Sequence, residues 1–194
     1  MSLILKHDDV TLRPMKEADI PRLWNLATPE TFTHMVNQIQ SYEEFEKWMG
    51  AGYKQMQTTD QVITFVVAHS KTDELRGSTR LYNIDYVNNT CEVGSTFYGK
   101  SFQRTHVNTT SKWLLLTYAF EKLGMIRVQI KTDEQNLASQ KAIERLGAVK
   151  EGILRNERIR STGNPRNAVV YSITDEEWPI INNKLIDMMN KHAI

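Results

Sequence analysis

The chain has 194 residues, enough for one well-packed domain, read here as 1–194, with little left for a second. Its 24 basic and 23 acidic residues leave a formal charge of +1, which argues against a broad nucleic-acid partner. Cys91 stands alone and the five histidines are scattered, so neither a disulfide nor a metal cluster is expected, and no apolar run reaches membrane-span length.

Val10-Thr11-Leu12-Arg13 alternates apolar and polar residues and stops at Pro14, as a first strand closed by a proline turn would. Residues 16–26 read as a helix with Ile20, Leu23 and Trp24 on one stripe. Residues 31–40 are polar and carry no periodic signal. Ser41, with Glu44 three residues on, is a capping box for a second helix whose apolar face is Phe45, Trp48 and Met49. Residues 61–69, 75–84 and 91–98 then read as an antiparallel meander of three strands. Further on, 149–160 is strand-like, Gly163-Asn164-Pro165 is a turn, and 168–173 is an apolar strand. A last amphipathic helix starts at Asp175, with Trp178, Ile181, Leu185 and Met188 on one side. The N-terminus lacks a basic segment followed by an apolar one, so a cytoplasmic setting without membrane attachment is expected.

Residues 97–147 organise the rest. A strand end runs through the polar loop Gln103-Arg104-Thr105-His106-Val107-Asn108 into a helix over 109–122. The first amides of that helix lie where unpaired N–H groups and the helix dipole favour an anion. Ile126-Arg127-Val128-Gln129-Ile130 alternates as a strand does, and a second helix opens at Asn136 and ends at Gly147. A strand feeding a helix tip that can hold phosphates points to a nucleotide-like cofactor.

The segment Asn136-Leu137-Ala138-Ser139-Gln140-Lys141-Ala142-Ile143-Glu144-Arg145-Leu146-Gly147-Ala148, together with Glu92-Val93-Gly94, resembles the GNAT superfamily of acyl-CoA-dependent N-acetyltransferases. The branch it looks most like contains the ribosomal-protein N-terminal acetyltransferases. The resemblance implies an α/β fold whose mixed, mostly antiparallel sheet of about seven strands splays between its fourth and fifth strands. Helices flank that sheet and one closes the chain. Acetyl-CoA is the implied co-substrate, with no metal. Its holders would be Phe97, Gln103, the amides of Arg104, Thr105, His106, Val107, Asn108 and Thr109, and then Asn136, Ser139 and Lys141. The family loop has glycines where this chain has His106 and Asn108. Asn and His are among the residues that visit left-handed backbone most readily, so the exchange is tolerable.

Asn136 serves as a helix cap in its own right, and in the family the matching side chain also bonds the pantetheine arm. Many family members carry a tyrosine, acting as acid toward the leaving thiolate, where this chain has Ile143. Ile143 reads as core, and Ser139 or water held by it is the named substitute. Glu92 is the candidate base, with a structural partnership as the competing reading. Cys91, in the opposite strand phase, is no candidate for a covalent intermediate. His34, Tyr82 and Tyr171 are the candidate acceptor contacts, with 31–40 and 161–167 as the regions beside them. The implied acceptor is a primary amine, foremost a protein or peptide N-terminal α-amine. A small molecule (amino acid, polyamine or antibiotic) and a non-catalytic acyl-CoA-binding module are the alternatives. The resemblance further implies a homodimer, formed through a sheet edge or the last helix.

Overall fold

The computed structural model describes residues 3–191, so His192 and the outermost residues of the chain fall outside it. Eight strands form one sheet among the described residues: β1 (Leu5–His7), β2 (Val10–Pro14), β3 (Ile63–His69), β4 (Leu75–Asp85), β5 (Thr90–Tyr98), β6 (Arg127–Asp133), β7 (Val149–Ile159) and β8 (Pro165–Thr174). Their spatial order is β1-β2-β3-β4-β5-β6-β8-β7, and every pair is antiparallel except β5 with β6. The eighth strand, β1, was not expected, because three residues are too few to show a period.

Two layers of helix cover the sheet. On one face α1 (Asp19–Trp24) and α2 (Tyr42–Thr58) bury Ile20, Leu23, Phe45 and Met49 against Val66, Ala68 and Phe97. Ser41 caps α2 by accepting from the Glu44 amide at 3.2 Å, while the Glu44 carboxylate accepts from the Gln40 amide, one residue before the position a full capping box requires. On the other face α3 (His106–Thr117), α4 (Leu137–Leu146) and α5 (Trp178–Asn190) bury Leu114, Leu115, Ile143, Leu146, Ile181 and Leu185 against Val67, Leu81, Val93, Val128 and Ile173. The last helix starts three residues later than expected, because residues 175–177 form turns. Residues Tyr118–Lys122 continue α3 as a π-helical turn that stops before Gly124, whose φ of +67° suits the left-handed exit.

The parallel pair places the site. β5 and β6 pair from Thr90 with Arg127 to Val93 with Ile130 and no further. Beyond that point β5 runs on through Tyr98 paired with β4, and β6 runs on through Asp133 paired with β8. A wedge therefore opens between two strands whose facing backbone edges are unpaired. The sheet splays where the resemblance expected it to, since the extra strand β1 makes the expected fourth and fifth strands β5 and β6.

Candidate active site at the sheet splay

The loop leaving β5 enters α3 three residues earlier than the sequence suggested. Thr105 is the N-cap, its hydroxyl accepting from the Val107 amide at 3.3 Å. The left-handed residue is Arg104, with φ +61°. His106 and Asn108 lie inside the helix, so the glycine positions of the loop demand no left-handed backbone here. Both residues are accommodated because helical backbone suits them, and not through a left-handed conformation. His106 also turns its ring away from an added role at the helix tip: its Nε2 lies 2.8 Å from Asp9 Oδ1, and Asp9 pairs with Arg76 at 2.7 Å. Burial would raise the Asp9 pKa, but hydrogen bonds from His106 and Arg76 outweigh it and hold the carboxyl below the usual range. Gln103 donates to the Tyr98 carbonyl at 3.0 Å and so ties the loop to the end of β5. What remains open at the tip are the first-turn amides other than that of Val107, an anion cradle on a helix of twelve residues.

The second helix tip stands on the other side of the wedge. Asn136 Oδ1 accepts from the Ser139 amide at 3.0 Å, and Gly147 ends α4 with φ +106°. The Asn136 side-chain nitrogen and the Ser139 hydroxyl make no hydrogen bond among the described residues, so both stay available. Asp133, at the end of β6, anchors this tip. It accepts from the Gln135 amide at 2.8 Å and is held by Arg160 and Arg166. Lys141 is exposed on α4. Arg145, in the last turn of α4, donates to the Thr109 hydroxyl near the start of α3 at 3.3 Å, which ties the far end of α4 to the α3 tip. Ile143 is buried in the core as expected.

Glu92 sits at the floor of the wedge, 2 % exposed. It faces Tyr82 on β4 and Gln129 on β6 in register. Tyr82 donates its hydroxyl to Glu92, Gln129 Nε2 donates at 3.1 Å, and Lys131 Nζ lies 3.3 Å away. Burial and the Glu92 carboxylate together drive the Tyr82 pKa far up, so this hydroxyl stays protonated. Gly94 leaves room for it: a β-carbon there would meet the Tyr82 oxygen at 2.8 Å. Lys131 continues the row to Glu157 at 3.0 Å. Burial would raise the Glu157 pKa, but Lys131 and neighbouring arginines win and lower it.

Other expected residues fall elsewhere. Tyr171 is fully buried on the α4 face and donates to Glu144 at 2.9 Å, so it joins β8 to α4 and does not face an acceptor. Phe97 puts its ring among Phe32, Phe45 and Trp48, with centroids 6.0–6.5 Å away, leaving only its backbone for the wedge. His34 is half-buried in the α1–α2 connection without a hydrogen bond among the described residues. That connection does meet the β7–β8 turn: Ser161 donates its amide to the Val36 carbonyl, and Gln38 donates its amide to the Ser161 hydroxyl at 2.9 Å. The two regions expected beside the acceptor are thus brought together. Gln129, Lys131 and Asp133 were missed. They are the polar phase of a strand whose apolar phase had been recognised, and a charged phase in a strand flanked on both sides was the available signal.

A sheet splayed at one parallel pair, with two helix tips across the opening, is the arrangement that the GNAT resemblance implies, and the comparisons show the same acetyltransferase family. The acetyltransferase (GNAT) domain profile matches residues 9–149, and the chain belongs to that family. A Bacillus subtilis (strain 168) protein named "Putative ribosomal N-acetyltransferase YdaF" is 35 % identical over 104 residues, 54 % of this chain and 56 % of that protein. An uncharacterized N-acetyltransferase, p20, from Bacillus licheniformis is 27 % identical over 61 % of this chain and 65 % of its own length. The chain thus spans less than two thirds of these curated relatives. A GCN5-related N-acetyltransferase from Brucella melitensis superposes with a TM-score of 0.87 at 25 % identity, covering 97 % of this chain and 86 % of that one. Among the described residues no helix is long and apolar enough to cross a membrane, and no group of three or more His, Cys, Asp or Glu is placed to hold a metal ion.

Proposed function

We propose that this chain moves the acetyl group of acetyl-CoA directly onto a primary amine, foremost the N-terminal α-amine of a protein. The observation that carries the reading is the meeting of three features at the splay: the open amides of α3, the Asn136 cap of α4, and the Glu92–Tyr82 pair at the floor. The name of the Bacillus subtilis relative supports a ribosomal-protein acceptor.

Acetyl-CoA, when bound, supplies an activated thioester carbonyl. The α3 amides would hold its phosphates, and the Asn136 nitrogen its pantetheine arm. The amine nitrogen bonds to the carbonyl carbon as the carbon–sulfur bond breaks. A proton leaves the nitrogen through the Tyr82 hydroxyl to Glu92, and the thiolate takes a proton from water or the Ser139 hydroxyl. A peptide α-amine has a pKa of about 7.7–8.0, so roughly a tenth is neutral at pH 7 and a modest base suffices. Burial pushes the Cys91 thiol up to about 12, which leaves it a poor nucleophile and favours direct transfer.

The test is thiol release with peptide acceptors, alongside calorimetry with acetyl-CoA. Glu92→Gln should lower kcat by about 10²-fold while acetyl-CoA affinity stays within about twofold. Lys131 keeps Glu157 in that variant, so the ion row survives. An unchanged kcat would remove Glu92 from the chemistry. Failure to bind acetyl-CoA would end the reading altogether.

A further inference from the structure

We infer that Arg80 receives a carboxylate of the acceptor, so that the substrate carries an acidic group close to its reactive amine. The inference rests on the acetyl-transfer reading above and names the chemistry of the acceptor.

Arg80 lies on β4 opposite Gly94, two residues before Tyr82 and on the same face. It projects under α2, where its guanidinium carbon stands 5.7 Å from the Trp48 ring centroid. A β-carbon on Gly52 of α2 would lie 2.1 Å from Nη2, so the helix has a glycine at mid-length to admit the guanidinium. Glycine there sacrifices helix propensity, which marks the space as required. Yet Arg80 has no hydrogen bond and no ion pair among the described residues, and its Nε is buried without a partner. Burial depresses its pKa, with no carboxylate to offset it. The other arginines that are not solvent-exposed are all paired: Arg13 with Asp19, Arg76 with Asp9, Arg127 with Glu151, Arg160 and Arg166 with Asp133.

A half-buried guanidinium whose buried Nε has no partner, and which meets an aromatic ring but no carboxylate, is costly unless an anion completes it. The cofactor phosphates are the wrong source. Their cradle is the tip of α3, on the opposite face of the sheet, and the β4 arginine near that tip is Arg76, four residues and roughly 13 Å of strand away from Arg80. The proposed proton acceptors Tyr82 and Glu92 are Arg80's neighbours on its own face. An amine placed for them brings its nearest substituents to Arg80, and the planar guanidinium suits a bidentate carboxylate. That carboxylate has two sources: an Asp or Glu side chain in the first two residues of a peptide, or the α-carboxylate of a free amino acid.

The experiment compares thiol release by the full chain on peptides that begin with Asp or Glu, their Asn or Gln counterparts, and free versus amidated amino acids. The expected kcat/KM ratio of acid to amide is at least about tenfold for one source. Arg80→Met should bring that ratio to about one, and Arg80→Lys, which keeps the charge without the fork, to an intermediate value. Calorimetry with N-acetylated Asp and Asn peptides, run with CoA present, reads the same preference without turnover. Preference in binding but no thiol release would sink the acetyl-transfer reading and leave the Arg80 assignment standing. Equal loss on acid and amide acceptors in Arg80→Met, or no acid preference in either assay, would overturn it. Weaker acetyl-CoA binding in Arg80→Met would do the same, since the anion would then be the cofactor's. Thermal melts of both variants confirm that they fold.

Discussion

The two faces of the sheet solve burial differently. Under α3 and α5 the contact is apolar, and the one buried lysine, Lys112, meets no carboxylate, donating instead to Thr96 at 2.7 Å and Thr79 at 3.3 Å. On the face shared by β6, β7 and β8, charges alternate in a buried row: Glu92, Lys131, Glu157, Arg166, Asp133 and Arg160. The face under α3 and α5 is held by packing, and the β6–β8 part of the other face, beyond the apolar cluster under α1 and α2, by pairing. The paired face is the one that borders the wedge, and exchange of protons or of acceptor charge there requires groups that already hold one another in fixed positions. The cost is that each ion depends on its neighbours.

That dependence sets the largest expected effect. Asp133 is 2 % exposed and serves two arginines as well as the entry to α4. Asp133→Ala strands Arg160, leaves Arg166 only Glu157 at 3.8 Å, and removes an acceptor from the Gln135 amide. Urea unfolding should show a loss of about 3–5 kcal/mol. A loss below about 1 kcal/mol would mean that water replaces the carboxylate and that the face is not held by pairing.

The contrast also explains what the sequence disclosed. Alternation in Ile126-Arg127-Val128-Gln129-Ile130 announces one apolar phase, and Val128 and Ile130 are indeed core. It does not say whether the other phase meets water or ions, because the partners arrive from far along the chain: Glu157 from β7 for Lys131, Arg160 and Arg166 for Asp133. Helix ends were legible at Ser41, Asn136 and Gly147, where a single residue type performs a local task. The helix expected over 109–122 starts three residues earlier because the Thr105 hydroxyl takes the Val107 amide and caps it there. Tyr171 was misread for a related reason. A tyrosine in a strand shows its size but not that its hydroxyl has Glu144 waiting on α4.

Lys112 tests the apolar face. Burial lowers its pKa from 10.5 to about 7. Its folded pKa therefore lies below the unfolded one, and the unfolded chain binds the extra proton between pH 7 and 10.5. The penalty is full below about pH 7 and fades as pH rises toward 10.5. Lys112→Met leaves Thr79 and Thr96 bonded to each other at 2.8 Å, so no hydroxyl is orphaned. The variant should be more stable by about 1–3 kcal/mol at pH 7, with the gain shrinking by pH 10. Denaturation at both pH values decides it. A gain that does not depend on pH would show that folding leaves the lysine's pKa unshifted, and a loss would show that its bonds to the threonines outweigh its burial.

The smallest effect separates two tasks of one residue. Asn136 caps α4 through Oδ1, and its side-chain nitrogen is the group proposed to meet the pantetheine arm. Asn136→Ala removes both and should cost about 1 kcal/mol of stability. Asn136→Asp keeps a cap of equal quality but replaces the donor with an acceptor, so stability should stay within a few tenths of a kcal/mol. If the nitrogen serves the cofactor, acetyl-CoA affinity should fall by roughly fivefold or more in both variants, because a hydrogen bond of about 1 kcal/mol is lost in each. If affinity falls only in Asn136→Ala, the residue acts by fixing the helix tip. If it falls in neither, the wedge holds its ligand from the α3 side alone. The comparison needs only melting curves and titrations, and it distinguishes a cap that happens to border the wedge from one that also reads its contents.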